Sequence, residues 1–409
     1  MTLRRPLAAI AAVSLASLVL AGCVAKTAGS ASASLDVTST DSTCEVSAAT
    51  ATSGNVTFNV TNNGSDITEF YLLGEDGLQI AGEVENVAPG ASRTLSLTAQ
   101  PGAYFTVCKP GMVGSGVGRA AFSVTGDAVA VSGDDAAQKQ QAVTLYAAFV
   151  KDQVGQLAPA ADTFATAYET GDDAAARQQF ANVRAYYERI EPVAEALGDL
   201  DPKIDYRELD AVAEGLDWTG FHRIEKDLWV PATDALNADD VTPAWQNWQP
   251  STPEQRAAFA THLRADVQSL FDYVHSDEFV TTLDEQGIAG ISNGGISLLD
   301  EVATGKITGE EDWWSGTDLY DFAANVEGAK MAFTLVRDFA DSKGAEGTKL
   351  TAEIDSGFAD LDAALAAHGS LATGFVDYRA LSEADKRELI DLINALAEPL
   401  SQLTGTILS

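Results

Sequence analysis

The sequence predicts a multi-domain chain: a small all-β sandwich followed by an all-α helical bundle. Two observations carry that prediction. Between residues 41 and 131, short runs of alternating apolar and polar residues are separated by Gly, Pro and Asn turns, as in antiparallel strands. From Asp134 that punctuation stops, and long Ala-rich segments with helical periodicity run through residues 136–409.

Residues 1–23 read as an export signal outside the fold. Arg4 and Arg5 form a basic start, and LAAIAAVSLASLVLAG is an apolar stretch. The segment ends in LAGC, which resembles the bacterial lipobox and predicts lipid on Cys23 after cleavage. The mature chain is then expected outside the cytoplasm, tethered to the outer face of the cell membrane or periplasmic. Residues 24–40, rich in Ala, Ser, Thr and Gly, are expected to be a flexible tether. No other apolar run reaches transmembrane length.

In the β region, NVTFNVTN sets Val56, Phe58 and Val60 on one face. The turn TNNGSD follows, and then TEFYLLG, GLQIAGEVENV, RTLSLTA, YFTVC and AAFSVTG, with APGA and QPGA as further turns. Cys44 and Cys108 are a disulfide candidate in an oxidising compartment. Closing that loop would stabilise the domain by roughly 2–4 kcal/mol. A type 1 copper site needs two histidines beside its Cys and Met, and no histidine precedes His222. The pair Cys108 and Met112 in YFTVCKPGM therefore cannot be one, and Met112 reads as loop packing.

Residues 136–170, 172–197, 203–228, 253–274, 293–304, 317–342, 346–367 and 382–403 read as helices. Gly171, Gly198 with Asp199, Pro250, Gly344 and Gly369 supply the stops. This is one large or two small bundles, with two four-helix bundles as the expectation. Acids outnumber bases by 60 to 25, a formal charge of −35. That excludes a nucleic-acid partner, since phosphate binding needs Lys and Arg, and it favours gathering cations.

Polar residues interrupting helical apolar faces are the candidate site. In GFHRIEKDLW, His222 and Glu225 stand at i and i+3 and share a face, as do Glu188 and Glu191 in YYERIEPVAE. Asp205 precedes a new helix, and Asp318, Asp321 and Glu327 interrupt another. Carboxylates with one imidazole suit iron, manganese or zinc and suit Cu(I) poorly. His262, His275 and His368 have no second ligand at clean spacing and read as surface or packing residues. Trp313 and Trp314 read as a capping cluster between helices, and KITGEED reads as a polar loop where a partner could dock.

YERIEPVAE, DLDPKID, GFHRIEKDLW and GKITGEEDWWSGTDLYDFAANVEGA resemble the imelysin-like domain of the EfeO family, the lipoproteins of EfeUOB-type iron-uptake systems. CEVSAAT, TEFYLL, EVENVAPG and PGAYFTVC resemble that family's cupredoxin-like domain. The resemblance implies an iron-binding lipoprotein that delivers ferrous or ferric iron to an iron permease, with a haem-peroxidase component of the same system as a further partner. It implies metal ligands at His222, Glu225, Glu188, Glu191, Asp205 and Glu327, serving one ion or two, and no catalytic residue. In the β domain it implies a second metal, such as copper or iron, on Cys44, Cys108, Glu69 and Glu83; the compartment favours a disulfide over that thiolate pair. Two other functions remain open. A metal-dependent peptidase is disfavoured because HxxE offers one histidine where HExxH offers two. An acidic-polysaccharide-binding protein is disfavoured because a polyanion would be repelled.

Overall fold

The structure is a computed structural model that describes residues 33–129, 135–193 and 197–409. The export signal and Cys23 lie outside the described residues. Strands β1 (Ala33–Ser39), β2 (Cys44–Val46), β4 (Gly54–Asn62) and β7 (Ser92–Ala99) form one sheet in the order β2-β1-β4-β7. Strands β3 (Thr50–Thr52), β9 (Val117–Thr125), β8 (Gly102–Cys108), β5 (Thr68–Leu73) and β6 (Ile80–Val87) form the other, in the order β3-β9-β8-β5-β6. The alternation read from NVTFNVTN is the burial pattern of β4, with Val56, Phe58 and Val60 in the sandwich core.

The tether expected over residues 24–40 ends earlier. Ala33–Ser39 is strand β1, parallel to β4, and its Leu35 and Val37 alternate into the core. Only two apolar side chains in a Ser- and Thr-rich run announce this strand. Its pairing with β4 supplies the stability that its composition lacks.

Cys44 and Cys108 are joined by a disulfide with Cα atoms 5.4 Å apart, so neither sulfur is a thiolate ligand. The four-residue metal set in the β domain is corrected on a second ground. Phe70, Val84 and Cys108 face the sandwich interior, whereas Tyr71, which sits opposite Glu83 in the β5–β6 register, faces the helices. The period-2 alternation of β5 and β6 puts Glu69 and Glu83 on that outer face as well, away from the disulfide. Glu69 there accepts a hydrogen bond from the Tyr71 hydroxyl at 2.8 Å.

The helical region begins with α1 (Asp135–Thr170) and α2 (Asp173–Glu188), the latter capped by the Asp172 side chain. Three short helices follow: α3 (Leu200–Ile204), α4 (Glu208–Glu214) and α5 (Gly220–Leu228). The long helices α6 (Pro253–Val274), α7 (Asp277–Thr304), α8 (Asp318–Asp341), α9 (Ala345–Ala366) and α10 (Glu383–Ser401) then precede a terminal α11 (Leu403–Leu408). Helices α7 to α10 close one four-helix ring, and α1, α2, the short α5 and α6 close another. Both rings share one continuous apolar core, which also takes in Tyr71, Leu73, Ile80 and Val107 from the outer face of the β5–β8 sheet.

Three helix expectations are corrected. The helix expected at 172–197 ends at Glu188, and a 3-10 turn follows at Glu191–Val193, where Pro192 removes a backbone donor. Residues 203–228 form parts of three helices rather than one, because Gly215 ends α4 and the chain turns again at Thr219. The helix expected at 293–304 starts at Asp277, capped by the Ser276 side chain, and kinks at Gly287, whose φ is 59°. Among the described residues, no helix is long and apolar enough to cross a membrane.

Candidate metal centre

Helix α5 is short, and all nine of its residues are buried. Its position is set by Gly220, which has φ 79° and packs so tightly on α3 that an added Cβ would lie 2.2 Å from the Ile204 carbonyl oxygen. Only glycine tolerates both conditions. This contact places the first turn of α5 beside Asp205. One turn after His222, buried Lys226 pairs with Glu208 and lies 5.0 Å from the Trp248 ring centroid and 4.8 Å from that of Trp314. Asp227 accepts from Tyr168 and pairs with Arg223 at 3.0 Å. Arg223 and Asp227, on the side of α5 away from His222, are thus charge-paired, although Arg223 Nη1 makes no hydrogen bond among the described residues.

The opposite face carries His222 and Glu225, whose Nδ1 and Oε2 are 3.1 Å apart. Glu225 Oε1 accepts from the backbone N–H groups of Trp314 (3.1 Å) and Ser315 (2.8 Å), which fixes the carboxylate. His222 Nε2 has no hydrogen-bond partner among the described residues; Glu311 Oε1 lies 3.5 Å away and Asp205 Oδ1 3.7 Å away. Asp312 Oδ1, 3.8 Å from His222 Nδ1, and Asp321 Oδ1 are buried and make no hydrogen bond among the described residues. Orphaned buried acceptors around an imidazole are what a site built for a cation presents in a structure without one.

The ligand atoms fall into three overlapping groups, each within 4.8 Å: Asp205, His222 and Glu311; His222, Glu225 and Asp312; Glu188, Glu191 and Asp205. Two buried cations are interleaved with them. Arg184 pairs with Glu188, Asp205, Glu311, Asp312 and Asp321, and Lys306 pairs with Glu188, Glu191 and Glu311. Two full positive charges do not balance this many carboxylates.

The electrostatics record the imbalance. Burial holds Asp312 and Asp321 well above the usual carboxylate range despite Arg184, and Asp205 is raised the same way. Burial, opposed by the backbone N–H groups of Asp318 and Asp312, raises Asp318 to about 7. Burial also pushes Glu188 and Glu311 up and is the largest single effect, but Lys306 and Arg184 together for Glu188, and Lys306 and His222 together for Glu311, outweigh it and hold both down. Burial and Arg184 push the His222 imidazole down, yet Glu225, Glu311 and Asp205 together raise it to about 9. Carboxylates raised in this way are stabilised by any cation that neutralises them, a proton or a metal ion.

Five of the six residues expected from the helical sequence, namely His222, Glu225, Glu188, Glu191 and Asp205, come together here. Glu327 does not. Its side chain is 35% exposed and is engaged by Arg189 at 2.7 Å. The sequence reading missed Glu311 and Asp312, which sit in KITGEED, the motif read as a docking loop. Their signal was three consecutive acids in a segment already matched to the family. Asp318 and Asp321 stood out as polar interruptions and are buried beside Asp312 and Arg184. Trp313 and Trp314 pack around the centre: Trp313 Nε1 donates to the Leu236 carbonyl at 3.0 Å, and both line a cavity of about 230 Å³ that reaches His222, Glu225 and Glu311.

The family profile described as Imelysin matches residues 142–403, and the one described as Cupredoxin-like domain matches residues 11–117. The chain is 35% identical to the iron uptake system component EfeO of Escherichia coli (strain K12), over 91% of this chain and 90% of that protein. The proteins of the same name from Shigella flexneri and Shigella sonnei (strain Ss046) match at the same identity and coverage.

Proposed function

The chain belongs to the family of the EfeO iron uptake components, a cupredoxin-like domain followed by an imelysin domain, and from that premise we propose that it is an extracytoplasmic lipoprotein that captures iron at the His222 centre and passes it to a membrane permease. The observation that carries the reading is the unpartnered His222 Nε2, buried between Asp205 and Glu311, with Glu225 and Asp312 on the other ring nitrogen. Imidazole with carboxylates is a donor set for iron, manganese or zinc, and iron is chosen because the relatives are iron uptake components. Asp205, Glu225, Glu311 and Asp312 would hold the ion with His222, and the 230 Å³ cavity gives it a way in.

A binding role fits the geometry better than hydrolysis. A metallopeptidase needs a carboxylate able to take a proton from water. Glu225, the one carboxylate HxxE offers for that part, has one oxygen held by two backbone N–H groups and the other turned to the imidazole, which places it to face an ion beside His222. The test is calorimetry with Fe(II) under nitrogen, with metal analysis of protein purified without chelator. Wild type should bind iron, and His222→Ala should lose affinity by more than about 100-fold, beyond the 10–100-fold typical of residues that only support a ligand. Equal binding by His222→Ala would reject the reading.

A further inference from the structure

We propose that Lys306 is a built-in cation that occupies the Glu188–Glu191–Asp205 group and confines metal to the His222 side of the cluster. The inference rests on the reading of His222 as the iron centre but is tested separately from it. Lys306 lies in the 3-10 turn Lys306–Thr308, directly after α7, with its side chain 4% exposed. Its Nζ stands 2.9 Å from Glu188 Oε2 and 2.7 Å from each oxygen of Glu191. Asn325 Nδ2 donates to the same two carboxylates, at 2.9 and 2.6 Å, and holds them around the ammonium.

The three carboxylates satisfy the spacing of a metal site. What separates them from the two His222 groups is the ammonium already engaged by Glu188 and Glu191. A lysine ammonium is a compact point charge with three donors, and here it meets three carboxylate oxygens. At the His222 groups the cation is Arg184, whose one tight contact is to Asp205; it stands 3.4 Å from Glu311 and 3.5 Å from Asp312, and His222 Nε2 makes no hydrogen bond among the described residues.

Asp205 belongs to both regions and Glu311 touches both His222 and Lys306, so their occupants compete for the same oxygens. A single fixed charge at the Lys306 position costs an incoming ion less repulsion than a second metal would. It also keeps part of the carboxylate charge engaged, which limits how tightly the ion is held. A carrier that must surrender its cargo gains from both effects.

The experiment counts Fe(II) ions per chain, under nitrogen, by calorimetry and by metal analysis after gel filtration. Lys306→Met should bind one more ion than wild type, and Glu191→Gln in that background should remove the extra ion. Lys306→Arg should leave the count unchanged. An equal count in Lys306→Met and wild type, or an extra ion that survives Glu191→Gln, would overturn the proposal. If Lys306→Met unfolds without metal, Fe(II) must restore its melting transition, and failure to do so would also overturn it. The functional reading is judged apart from this, by the wild-type count and its loss in His222→Ala.

Discussion

At the scale of single residues, the two members of the HxxE pair have different jobs, and mutation should separate them. His222 makes one hydrogen bond and leaves Nε2 without one, so His222→Ala should weaken metal binding, and its metal-free cost is the loss of the imidazolium held by Glu225, Glu311 and Asp205, which fades as pH rises through about 9. Glu225 also terminates two backbone N–H groups. Glu225→Ala would orphan both, at about 1–3 kcal/mol each, and should lower the urea midpoint well below that of His222→Ala. Asp312 supplies the pH test. Its folded pKa is raised by burial, so the folded state keeps a proton that the unfolded chain releases near pH 4, and stability falls as pH rises above that value. Asp312→Asn should therefore raise the chelator-treated melting temperature at pH 8 by a few degrees, do little at pH 4, and reduce the stabilisation given by added Fe(II). A melting curve that shifts equally at both pH values would count against a buried, cation-seeking carboxylate.

At the scale of elements, the candidate centre depends on α5, and α5 depends on Gly220. Gly220→Ala meets both a left-handed φ and an Ile204 carbonyl 2.2 Å from the new Cβ. It should cost on the order of 2 kcal/mol or more, and if the chain folds, it should carry His222 away from Asp205 and lower Fe(II) affinity. Circular dichroism melts with calorimetry would show both effects. This element also marks how far the sequence could be read. Apolar periodicity located helices that bury one stripe, and strand alternation located β4 to β9, because in both the pattern is local. Within residues 203–228, the stop at Gly215 was a local glycine signal, whereas the placement of α5 was not legible, since it follows from the packing of Gly220 on α3, a contact between segments. Strand β1 was missed for a related reason: its stability comes from β4, not from its own residues. The i, i+3 spacing of His222 and Glu225 was legible and put both on one buried face. The exclusion of Glu327 was not, because it turns on which carboxylate Arg189 reaches.

At the scale of the whole molecule, the expected boundary between a β domain at 41–131 and a helical domain at 136–409 is a packed junction. Tyr71, Leu73, Ile80 and Val107 join the helical core, and the Gly114 N–H donates to the Gly155 carbonyl of α1 at 2.8 Å. At the far end, a lipid on Cys23 would tether this body to a membrane. Cys23→Ser should then release the protein into the medium or leave its leader uncleaved, and unchanged detergent partitioning would refute the anchor. The junction itself buries charge. Glu69, Tyr71, Glu83 and Glu85 from the sheet meet Lys109, Lys151 and Asp152, with Lys109 paired to Asp152 and Lys151 to Glu85 at 3.0 Å. Glu83 Oε2 makes no hydrogen bond among the described residues. Burial, with the charges of Glu85 and Glu69, raises Glu83 to about 8, and burial raises Glu69 to about 7 although the Tyr71 hydroxyl opposes it. Both values exceed the unfolded value, so the folded state binds protons that the unfolded chain has lost. Stability should decline from about pH 4.5 to pH 8, by about 1.4 kcal/mol per pH unit for each group that carries its full shift. Lys109 does not reverse this trend: burial lowers it to about 8 against Glu69 and Glu83, so its contribution changes only above that pH. Glu83→Gln keeps the shape and removes the titration. It should raise the melting temperature by several degrees at pH 8, change it little at pH 4.5, and flatten the decline between them. Because the carboxylate sits between the two domains, the gain should appear in both, as amide hydrogen-exchange protection of the β strands and of the helices rising together. A gain confined to one domain would mean that the junction does not couple the domains.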